Sequence, residues 1–443
     1  MNHYDKKYFK VALPAALEGL FMILLASTDL IMVGALGALS IAAVSIFLQP
    51  RLILLCFSRS LASSVTLLVS KNAGARNTAG SADVMKKSLL LCAIFMGILH
   101  IIFYIFLEDI FYLLGANEDY MAEAMAYGPI GLASVYVTSL TLILQAVQLG
   151  YGRTSVIMKT NVSGNIINIA LNALLIFGYG PVPAMGITGA AIGTLCSTLF
   201  TLLWTAYILK EEKFFDGGSY LPDKKYFKTI MPILCSILSE QGSERIGMVL
   251  FGRMAAGLGT IPFAVHSICM NICDIYYDFI TGFGKASMVM AGQSCGKGSE
   301  EDWKAYKKCG IKWSLLISAV VCAATIFFRN DIFALYSDDA SSMEIASVIM
   351  IFVAVVSFPE AHALLSAGIL RGSGKAAQVA GYSFVSITFL RPINTAIFLY
   401  VFDMGLYGCW CALLLDQIIR ASCATFLIYR LEHKGWRALM AEV

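Results

Sequence analysis

The stretch Val11–Gly37, VALPAALEGLFMILLASTDLIMVGALG, decides the fold class. It is long and apolar enough to cross a bilayer as a helix, since about 20 apolar residues suffice. It nevertheless carries two carboxylates, Glu18 and Asp29. Their spacing places both on one face of a helix, about 16 Å apart along its axis. Because a charge in a membrane normally faces protein or a wet cavity, this face either belongs to a transport pathway or is bonded to a neighbouring helix.

The composition of the whole chain also indicates an integral membrane protein. Hydrophobic residues make up 58% of its 443 residues and charged residues only 14%, whereas soluble domains have about 25% charged residues. The apolar residues form twelve runs, at about 11–36, 40–70, 88–107, 121–148, 155–177, 186–209, 229–252, 263–286, 311–328, 344–369, 377–401 and 405–429. We therefore predict an all-α integral membrane protein with twelve transmembrane helices in two pseudo-symmetric six-helix lobes.

The basic residues predict how these helices are oriented. With a cytoplasmic N-terminus, the cytoplasmic segments contain 25 of the 32 Lys and Arg residues, and the outer segments contain only Arg253 and Arg329. Cytoplasmic loops of membrane proteins carry such an excess. We expect a multi-pass protein of the cytoplasmic (plasma) membrane with both termini inside and no cleaved signal peptide, because the first run lacks a small-residue cleavage site.

The two halves of the chain resemble each other. Tyr8-Phe9-Lys10 returns as Tyr226-Phe227-Lys228, residues 36–46 return as 258–268, and Met185–Gly189 returns as Met404–Gly408, with offsets of 218, 222 and 219. Six spans per half insert both halves in the same orientation, related by an axis along the membrane normal. We predict lobes at 1–209 and 229–443, joined by the charged cytoplasmic linker 210–228, which we interpret as a hinge.

Polar side chains recur at helical spacing inside two of the runs. One stripe consists of Asn161, Asn165, Asn168 and Asn172, and a second contains Asn271, Asp274, Asp278, Thr281 and Lys285. Residues three and four apart share one face of a helix. Amide oxygens are cation ligands, but amides also hydrogen-bond membrane helices to one another. The asparagines therefore predict either a cavity or cation site, or helix packing.

Carboxylates outnumber arginines within the predicted spans. The acids are Glu18, Asp29, Glu240, Glu244, Asp274, Asp278, Glu360 and Asp416, and the bases are Arg51, Arg59, Arg245, Arg391 and Arg420. This excess favours a path for cations or protons. Asp416 and Arg420 lie four residues apart and are expected to neutralise each other. We expect Glu18, Glu240, Asn161, Asn165, Asn271, Asp274 and Asp278 to line a cavity.

Several motifs together resemble the multidrug and toxic compound extrusion (MATE) family over nearly the whole chain. They are TDLIMVGALG (28–37), AGAR (73–76), NIINIALNALLIFGYG (165–180), MGITGAAIGT (185–194), CGKG (295–298) and GILRGSGK (368–375). The resemblance implies two lobes that open alternately to either side of the membrane. It implies export of organic cations or drugs in exchange for Na⁺ or H⁺.

The resemblance also implies which residues couple the ion to the substrate. Asp29 would be central, with Asn168, Asn172 and Thr194 completing a site in the amino-terminal lobe. In the other lobe the matching acidic residues are Glu244 and Glu360. Archaeal-type members of the family have an aspartate where this chain has Asn172.

The expected partners are a small, cationic and amphipathic substrate and the lipid bilayer, with no cofactor besides Na⁺ or H⁺ as coupling ion. We expect a monomer, no metal site and no nucleic acid, since the net charge is only +3 and the twelve cysteines form no CxxC motif. The alternative within transport is a lipid-linked oligosaccharide flippase of the same superfamily, although those often have more spans and a basic cavity. We expect no enzyme, because the five histidines belong to no catalytic or metal motif. A channel suits two pseudo-symmetric lobes less well than alternating access.

Overall fold

The computed structural model describes residues 2–337, 339–434 and 436, and these residues are almost entirely helical. An isolated antiparallel bridge joins Tyr179 and Val182, and no β-strand occurs within the described ranges. The predicted all-α class is confirmed. Arg437, one of the basic residues counted as cytoplasmic, lies outside these ranges together with the rest of the C-terminal end.

The chain forms two compact units, and the first of them, the amino-terminal unit, runs from Leu17 to Leu234. It contains most of α1 (His3–Gly34) and the first turns of α8 (Lys224–Ala256). The complete helices of this unit are α2 (Ala38–Gly74), α3 (Thr78–Ile105), α4 (Leu107–Leu113), α5 (Glu118–Gly150), α6 (Thr154–Phe177) and α7 (Gly186–Glu211). Its core is a continuous apolar cluster that includes Phe47, Leu54 and Ile143.

The carboxy-terminal unit consists of the described residues up to Ala16 together with those from Cys235 onward. Its complete helices are α9 (Thr260–Lys297), α10 (Glu300–Phe327), α11 (Arg329–Ala334), α12 (Ala340–Gly372), α13 (Ala376–Phe384), α14 (Arg391–Ala396) and α15 (Gly405–Lys434). The π-helical segment Val385–Leu390 connects α13 to α14, and a second one, Ile397–Val401, continues α14, so that residues 376–401 form one helical rod. One apolar cluster of this unit contains Phe251, Phe333 and Trp410.

The helix boundaries repeat with a constant offset. Helices α2, α3, α5 and α6 begin 222 residues before α9, α10, α12 and α13, respectively. Helices α3 and α10 both contain 28 residues, and α5 and α12 both contain 33. The predicted internal repeat is therefore confirmed at the level of individual helices.

The division into units places the first residues of α1 with the carboxy-terminal unit. The Asp5 carboxylate accepts hydrogen bonds from Lys312 Nζ at 3.2 Å and Trp313 Nε1 at 3.0 Å. The Tyr8 hydroxyl donates to the Phe283 carbonyl at 3.0 Å. The boundary between the two compact units therefore falls inside α1 and inside α8. That residues 1–209 and 229–443 act as two lobes remains a prediction.

The predicted linker 210–228 is fastened to α3. Lys86 Nζ donates to the Phe215 carbonyl at 2.7 Å. Asp83 Oδ1 accepts from the Ser219 backbone N–H at 3.0 Å. A buried ammonium that satisfies a loop carbonyl restrains that loop, because leaving either group unpaired is costly.

The end of the linker is held by a further cluster. The Tyr226 backbone N–H donates to Asp223 at 2.7 Å, and Lys87 Nζ pairs with Asp223 at 3.2 Å. These two contacts hold the pKa of the Asp223 carboxyl below its usual range. The Tyr226 hydroxyl shares a 2.7 Å hydrogen bond with Ser88. The segment that we interpreted as a hinge is thus a docked part of the amino-terminal unit.

Ten helical segments of the described chain are long and apolar enough to cross a membrane. Helices α8 and α9, with 33 and 38 residues, are equally long but more polar. Their charged residues at mid-helix are Glu240, Glu244, Arg245, Asp274 and Asp278. Ten apolar segments and these two polar ones correspond to the twelve predicted spans.

The rod over 376–401 differs from its counterpart α6. It contains 26 residues, whereas α6 contains 24 and is regular throughout. Each π-helical turn accommodates an extra residue, so the two π-helical segments account for the difference. They flank Arg391-Pro392, where proline lacks the N–H that a regular helix would use.

Gly282 of α9 permits close packing against the start of α1. A Cβ at position 282 would lie 2.3 Å from the Ala16 backbone nitrogen. We expect Gly282→Ala to destabilise the protein by about 1–3 kcal/mol, the usual cost of overpacking. Gly252→Ala is the matched control, because a Cβ there would meet no atom within 4 Å and alanine favours a helix.

The measurement is the thermal unfolding midpoint of both variants in detergent. The Gly282→Ala midpoint should fall clearly below that of the wild type, and the Gly252→Ala midpoint should stay level or rise. Equal midpoints for the two variants would contradict the close approach at Gly282.

Candidate functional site

Helix α6 lies beside α1 in a constant register. The contacts are Asn161 Nδ2 to Glu18 Oε1, Asn165 Nδ2 to Met22 Sδ at 3.2 Å and Asn172 Nδ2 to Asp29 Oδ1 at 3.1 Å, each pair 143 residues apart. The asparagine stripe therefore faces α1, as a 3.6-residue helical period requires. The predicted common face of Glu18 and Asp29 is confirmed.

The Glu18 end of this face is a chain of hydrogen bonds. Gln145 Nε2 of α5 donates to Asn161 Oδ1 at 2.6 Å, and Asn161 in turn donates to Glu18. Gln145 is only 7% exposed, so its amide depends on this partner. Sequence reasoning missed Gln145, and the signal available was the presence of an amide side chain in an apolar run.

The Asp29 end is a cluster of oxygen-bearing side chains from α1, α6 and α7. In the orientation that satisfies both ends of its amide, Asn168 donates to the Asp29 oxygens at 2.7 and 2.8 Å, and its oxygen accepts from the Thr194 backbone N–H at 3.2 Å. Asn172 also donates to Asp29, while its own buried Oδ1 finds no hydrogen-bond partner within the described ranges. The structure thus brings together all four residues predicted for the amino-terminal site.

Small residues let α7 approach this cluster. A Cβ at Gly193 would lie 2.2 Å from Asn172 Oδ1. Thr194 donates its hydroxyl hydrogen to the Ala190 carbonyl at 2.9 Å, which leaves the lone pairs of Oγ1 available to accept. Asn172 and Thr194 therefore each present an oxygen beside the Asp29 carboxylate.

A base that the sequence did not assign acts on Asp29. Arg51 of α2 is close enough to attract the Asp29 carboxylate electrostatically. Tyr127 of α5, which is only 8% exposed, interacts with Arg51, Asp29 and Thr194. The local charge of the cluster is therefore close to zero when Asp29 is ionised and positive when it is neutralised.

The carboxy-terminal unit also contains a hydrogen bond between residues 143 positions apart, but with a different donor side chain. Glu240 and Ser383 occupy the positions of Glu18 and Asn161 in the repeat, and Ser383 Oγ donates to Glu240 at 3.1 Å. Arg371 Nη2 lies 2.7 Å from both Glu240 oxygens. Glu240, 6% exposed, is thus a buried, charge-neutralised residue.

Asp416 forms its ion pair with Arg391. Arg391 Nε donates to Asp416 Oδ2 at 3.0 Å, its Nη2 contacts the same oxygen, and Ser386 Oγ donates to Oδ1. The sequence predicted that Asp416 and Arg420, on the same helix, neutralise each other. The structure pairs Asp416 with Arg391 instead, and Arg420 interacts with Asp416 electrostatically. The paired partner comes from the π-distorted rod, which sequence spacing along α15 could not reveal.

Glu244 and Glu360 lie around a shared base. Tyr277 donates to Glu244 Oε1 at 3.3 Å, and Gln417 Nε2 donates to Glu360 Oε1 at a long 3.5 Å. Arg420 interacts electrostatically with both carboxylates. Glu360 is 7% exposed, and its Oε2 lacks a hydrogen-bond partner in the part of the chain that the structure describes.

The second polar stripe is exposed on α9. Asn271, Asp274 and Asp278 are all solvent-accessible in this unit. Asn271 Oδ1 accepts from the Tyr336 hydroxyl at 3.4 Å, and Asp274 interacts with Arg245 of α8. No group of three or more His, Cys, Asp or Glu side chains within the described residues could hold a metal ion.

A comparison with known families now decides what this arrangement is. The MatE family model matches residues 14–174 and again residues 232–397, one match in each half. The chain belongs to the MATE family. The double match agrees with the 222-residue repeat of the helices. MATE proteins are efflux transporters, so the chain is a multi-pass membrane transporter for small molecules.

Relatives and solved structures agree with this assignment. The chain is 24% identical over 421 residues to the "Probable multidrug resistance protein NorM" of Thermotoga maritima, covering 94% of this chain and 90% of that protein. A MATE crystal structure in the bent conformation matches with a TM-score of 0.89 at 21% identity, over 99% of this chain and 98% of the other. A MOP superfamily transporter from Pyrococcus furiosus, described with a binding pocket of reverse polarity, matches with a TM-score of 0.87 at 21% identity, covering 98% and 97%.

Proposed function

We propose that the chain is a secondary antiporter of the cytoplasmic membrane that exports organic cations in exchange for Na⁺ or H⁺ by alternating access. The observation that carries the proposal is the cluster of Asp29, Asn168, Asn172 and Thr194. It combines one carboxylate with an unpartnered amide oxygen and a hydroxyl oxygen at membrane depth. Such carboxylates in membrane spans mark ion and proton pathways.

The cluster offers chemistry for either coupling ion. Oxygen ligands from carboxylate, amide and hydroxyl groups suit a hard cation such as Na⁺. Alternatively, the Asp29 carboxylate takes up a proton. In both cases Arg51 makes the loaded cluster positive and the empty cluster neutral, and this charge difference favours release of the ion over permanent retention.

Glu244 and Glu360 are the proposed coupling residues of the carboxy-terminal unit. Their shared neighbour Arg420 is buried and cannot lose its charge, so a change of charge in this cluster must occur on a carboxylate. Glu240 is bound by Arg371 at 2.7 Å and serves in our proposal as a structural residue. The flippase alternative is less well supported, because the exposed charges on the α9 stripe include two carboxylates.

Transport in proteoliposomes tests this proposal. We expect export of ethidium, a monovalent organic cation, to be driven by one imposed gradient, either of Na⁺ or of pH, applied singly. A matched control uses liposomes with both gradients collapsed by ionophores. If neither the Na⁺ gradient nor the pH gradient drives ethidium export, the antiport proposal is overturned.

The proposed orientation has a separate test. Ser219 is exposed in the linker and Asp331 is exposed on α11, in a predicted outer loop. We expect a membrane-impermeant maleimide to label Ser219→Cys only after permeabilisation and Asp331→Cys already in intact cells, each compared with the wild type. Labelling of Ser219→Cys in intact cells would contradict cytoplasmic termini.

A further inference from the structure

A cavity of about 490 Å³ opens on the surface of the carboxy-terminal unit between α12 and α15. We call it the α12–α15 groove. Its volume lies within the range of small-molecule sites. The proposed coupling residues contribute no side chain to its lining, so the coupling proposal leaves this groove unassigned. The lining consists of His362 of α12 and of Ala421, Ser422, Thr425, Phe426 and Tyr429 of α15.

The groove faces the membrane at the depth of the lipid chains. Phe426 and Tyr429 are 61% and 56% exposed, and α15 is one of the segments apolar enough to span the membrane. Exposed aromatic side chains on such a segment meet lipid or the membrane interface. In the proposed orientation Gly372 is the cytoplasmic end of α12, and His362 lies about 15 Å further into the membrane. The groove therefore opens to the cytoplasmic leaflet.

The hydrogen bonds of the groove fix which nitrogen of His362 carries a hydrogen. Thr425 Oγ1 donates its only hydrogen to the Ala421 carbonyl at 2.8 Å. It can therefore only accept in its 2.7 Å hydrogen bond with His362 Nε2, so that Nε2 is the donor. In the neutral ring Nδ1 is then an acceptor. This nitrogen makes no hydrogen bond to any described residue and is not enclosed by protein atoms.

The polarity of the groove restricts the class of ligand. Among the described residues, its lining contains no Asp, Glu, Lys or Arg side chain. A charged ligand would lie at this depth without a countercharge, which is costly in a membrane, and the imidazole is stable there as the neutral ring for the same reason. An acceptor that meets only hydrocarbon is also costly. The groove thus fits an uncharged molecule with a hydrogen-bond donor and an apolar body.

The other half of the chain shows that the fold does not require these polar groups. Helices α5 and α12 begin 222 residues apart, and α7 and α15 begin 219 residues apart. By these offsets His362 corresponds to Leu140, and Thr425 corresponds to Ala206. The matching helix pair of the amino-terminal unit therefore has apolar side chains at both positions. The hydrogen-bonded pair of His362 and Thr425 is a feature of one half only.

We propose that the α12–α15 groove binds a neutral lipid alcohol of the cytoplasmic leaflet, whose hydroxyl group donates to His362 Nδ1. The apolar chain of this lipid packs along Phe426. The site goes beyond the proposed antiport, because its ligand is uncharged whereas the proposed substrates are cations. The two helices that form the groove also carry Glu360 and Arg420. The bound lipid therefore contacts the helix pair that holds part of the carboxy-terminal coupling cluster.

Photolabelling of the full chain in lipid nanodiscs tests this proposal. The probe is hexadecanol with a diazirine in its chain, and peptide mass spectrometry locates the labelled residues after irradiation. We expect labelling of the peptides that contain His362 and residues 421–429. The methyl ether of the same probe has no O–H donor and should label these peptides about fivefold less, the worth of one hydrogen bond. The corresponding fatty acid, which is charged, should also label them less than the alcohol.

Two variants test the polar partners by introducing the residues of the amino-terminal unit. His362→Leu removes the acceptor, and Thr425→Ala releases the imidazole from its fixed orientation. Each should lower labelling by the alcohol about fivefold and leave labelling by the ether unchanged, which distinguishes loss of the site from misfolding. Ser347→Ala is the matched control on α12, because the Ser347 hydroxyl donates to the Glu344 carbonyl at 2.8 Å outside the groove. This variant should keep the wild-type labelling.

The labelling of the wild type alone can overturn the inference. Equal labelling of the groove by the alcohol and the ether would show that His362 Nδ1 accepts no hydrogen bond from the lipid. Stronger labelling by the fatty acid would show that the groove takes an anion instead. Unchanged labelling by the alcohol in both His362→Leu and Thr425→Ala would likewise contradict the proposal.

Discussion

Replacing Asp29 with asparagine is expected to abolish ion-coupled export while the protein still folds and reaches the membrane. Asparagine keeps the size and one oxygen but brings no charge and takes up no proton. The loss should be at least roughly 100-fold, because removing even the outer partners of an ion ligand costs about 10–100-fold. Asn168 and Asn172 both donate to the Asp29 carboxylate, and the amide retains one acceptor for them.

The measurement is ethidium export per molecule of membrane-inserted protein, under the gradient that drives the wild type. Glu18→Gln is the matched control, since Glu18 lies on the same face and receives a hydrogen bond from Asn161. This variant should retain export within a few-fold. Wild-type coupled export by Asp29→Asn would remove Asp29 from the mechanism and transfer the coupling role to Glu244 and Glu360.

The largest expected effect on stability is that of Arg391→Met. Asp416 is 0% exposed and Arg391 3% exposed, so methionine leaves a buried carboxylate without its ion-pair partner. Breaking a buried pair on one side costs about 3–5 kcal/mol. Adding Asp416→Asn removes the stranded charge, and the double variant should recover most of the lost stability.

Thermal unfolding of the two single variants and the double variant in detergent forms a double-mutant cycle. The double variant should unfold at a clearly higher temperature than Arg391→Met. Additive losses would contradict an energetic coupling between Arg391 and Asp416. They would also imply that Ser386, which donates to Asp416, suffices to hold the carboxylate.

Features that repeat along one helix could be predicted from the sequence. The spacing of the asparagines on α6 and of the acids on α1 and α9 follows from the helical period, and the structure keeps each stripe on one face. The family motifs added Thr194, which the structure places beside Asn168. These predictions needed only the period of an α-helix and the chemistry of the side chains.

Features that depend on the register between helices could not be predicted. The attraction of Arg51 for Asp29 and the pairing of Arg391 with Asp416 each join two helices at a height that no local pattern specifies. The contact of Lys86 with the Phe215 carbonyl likewise depends on tertiary packing. The linker has the charged, glycine-containing composition of a mobile segment, so composition alone suggested a hinge.

The placement of the first sixteen residues in the carboxy-terminal unit has a consequence for biosynthesis. Tyr8 bonds to Phe283 across 275 residues of sequence, and Asp5 bonds to Trp313 across 308. The part of the chain that leaves the ribosome first must therefore wait, with its partners unmade, until α9 and α10 have been synthesised and inserted. Contacts of such long sequence separation form late and slowly. A nascent chain arrested before α10 therefore lacks the Lys312 and Trp313 side chains that bind Asp5 in the complete protein.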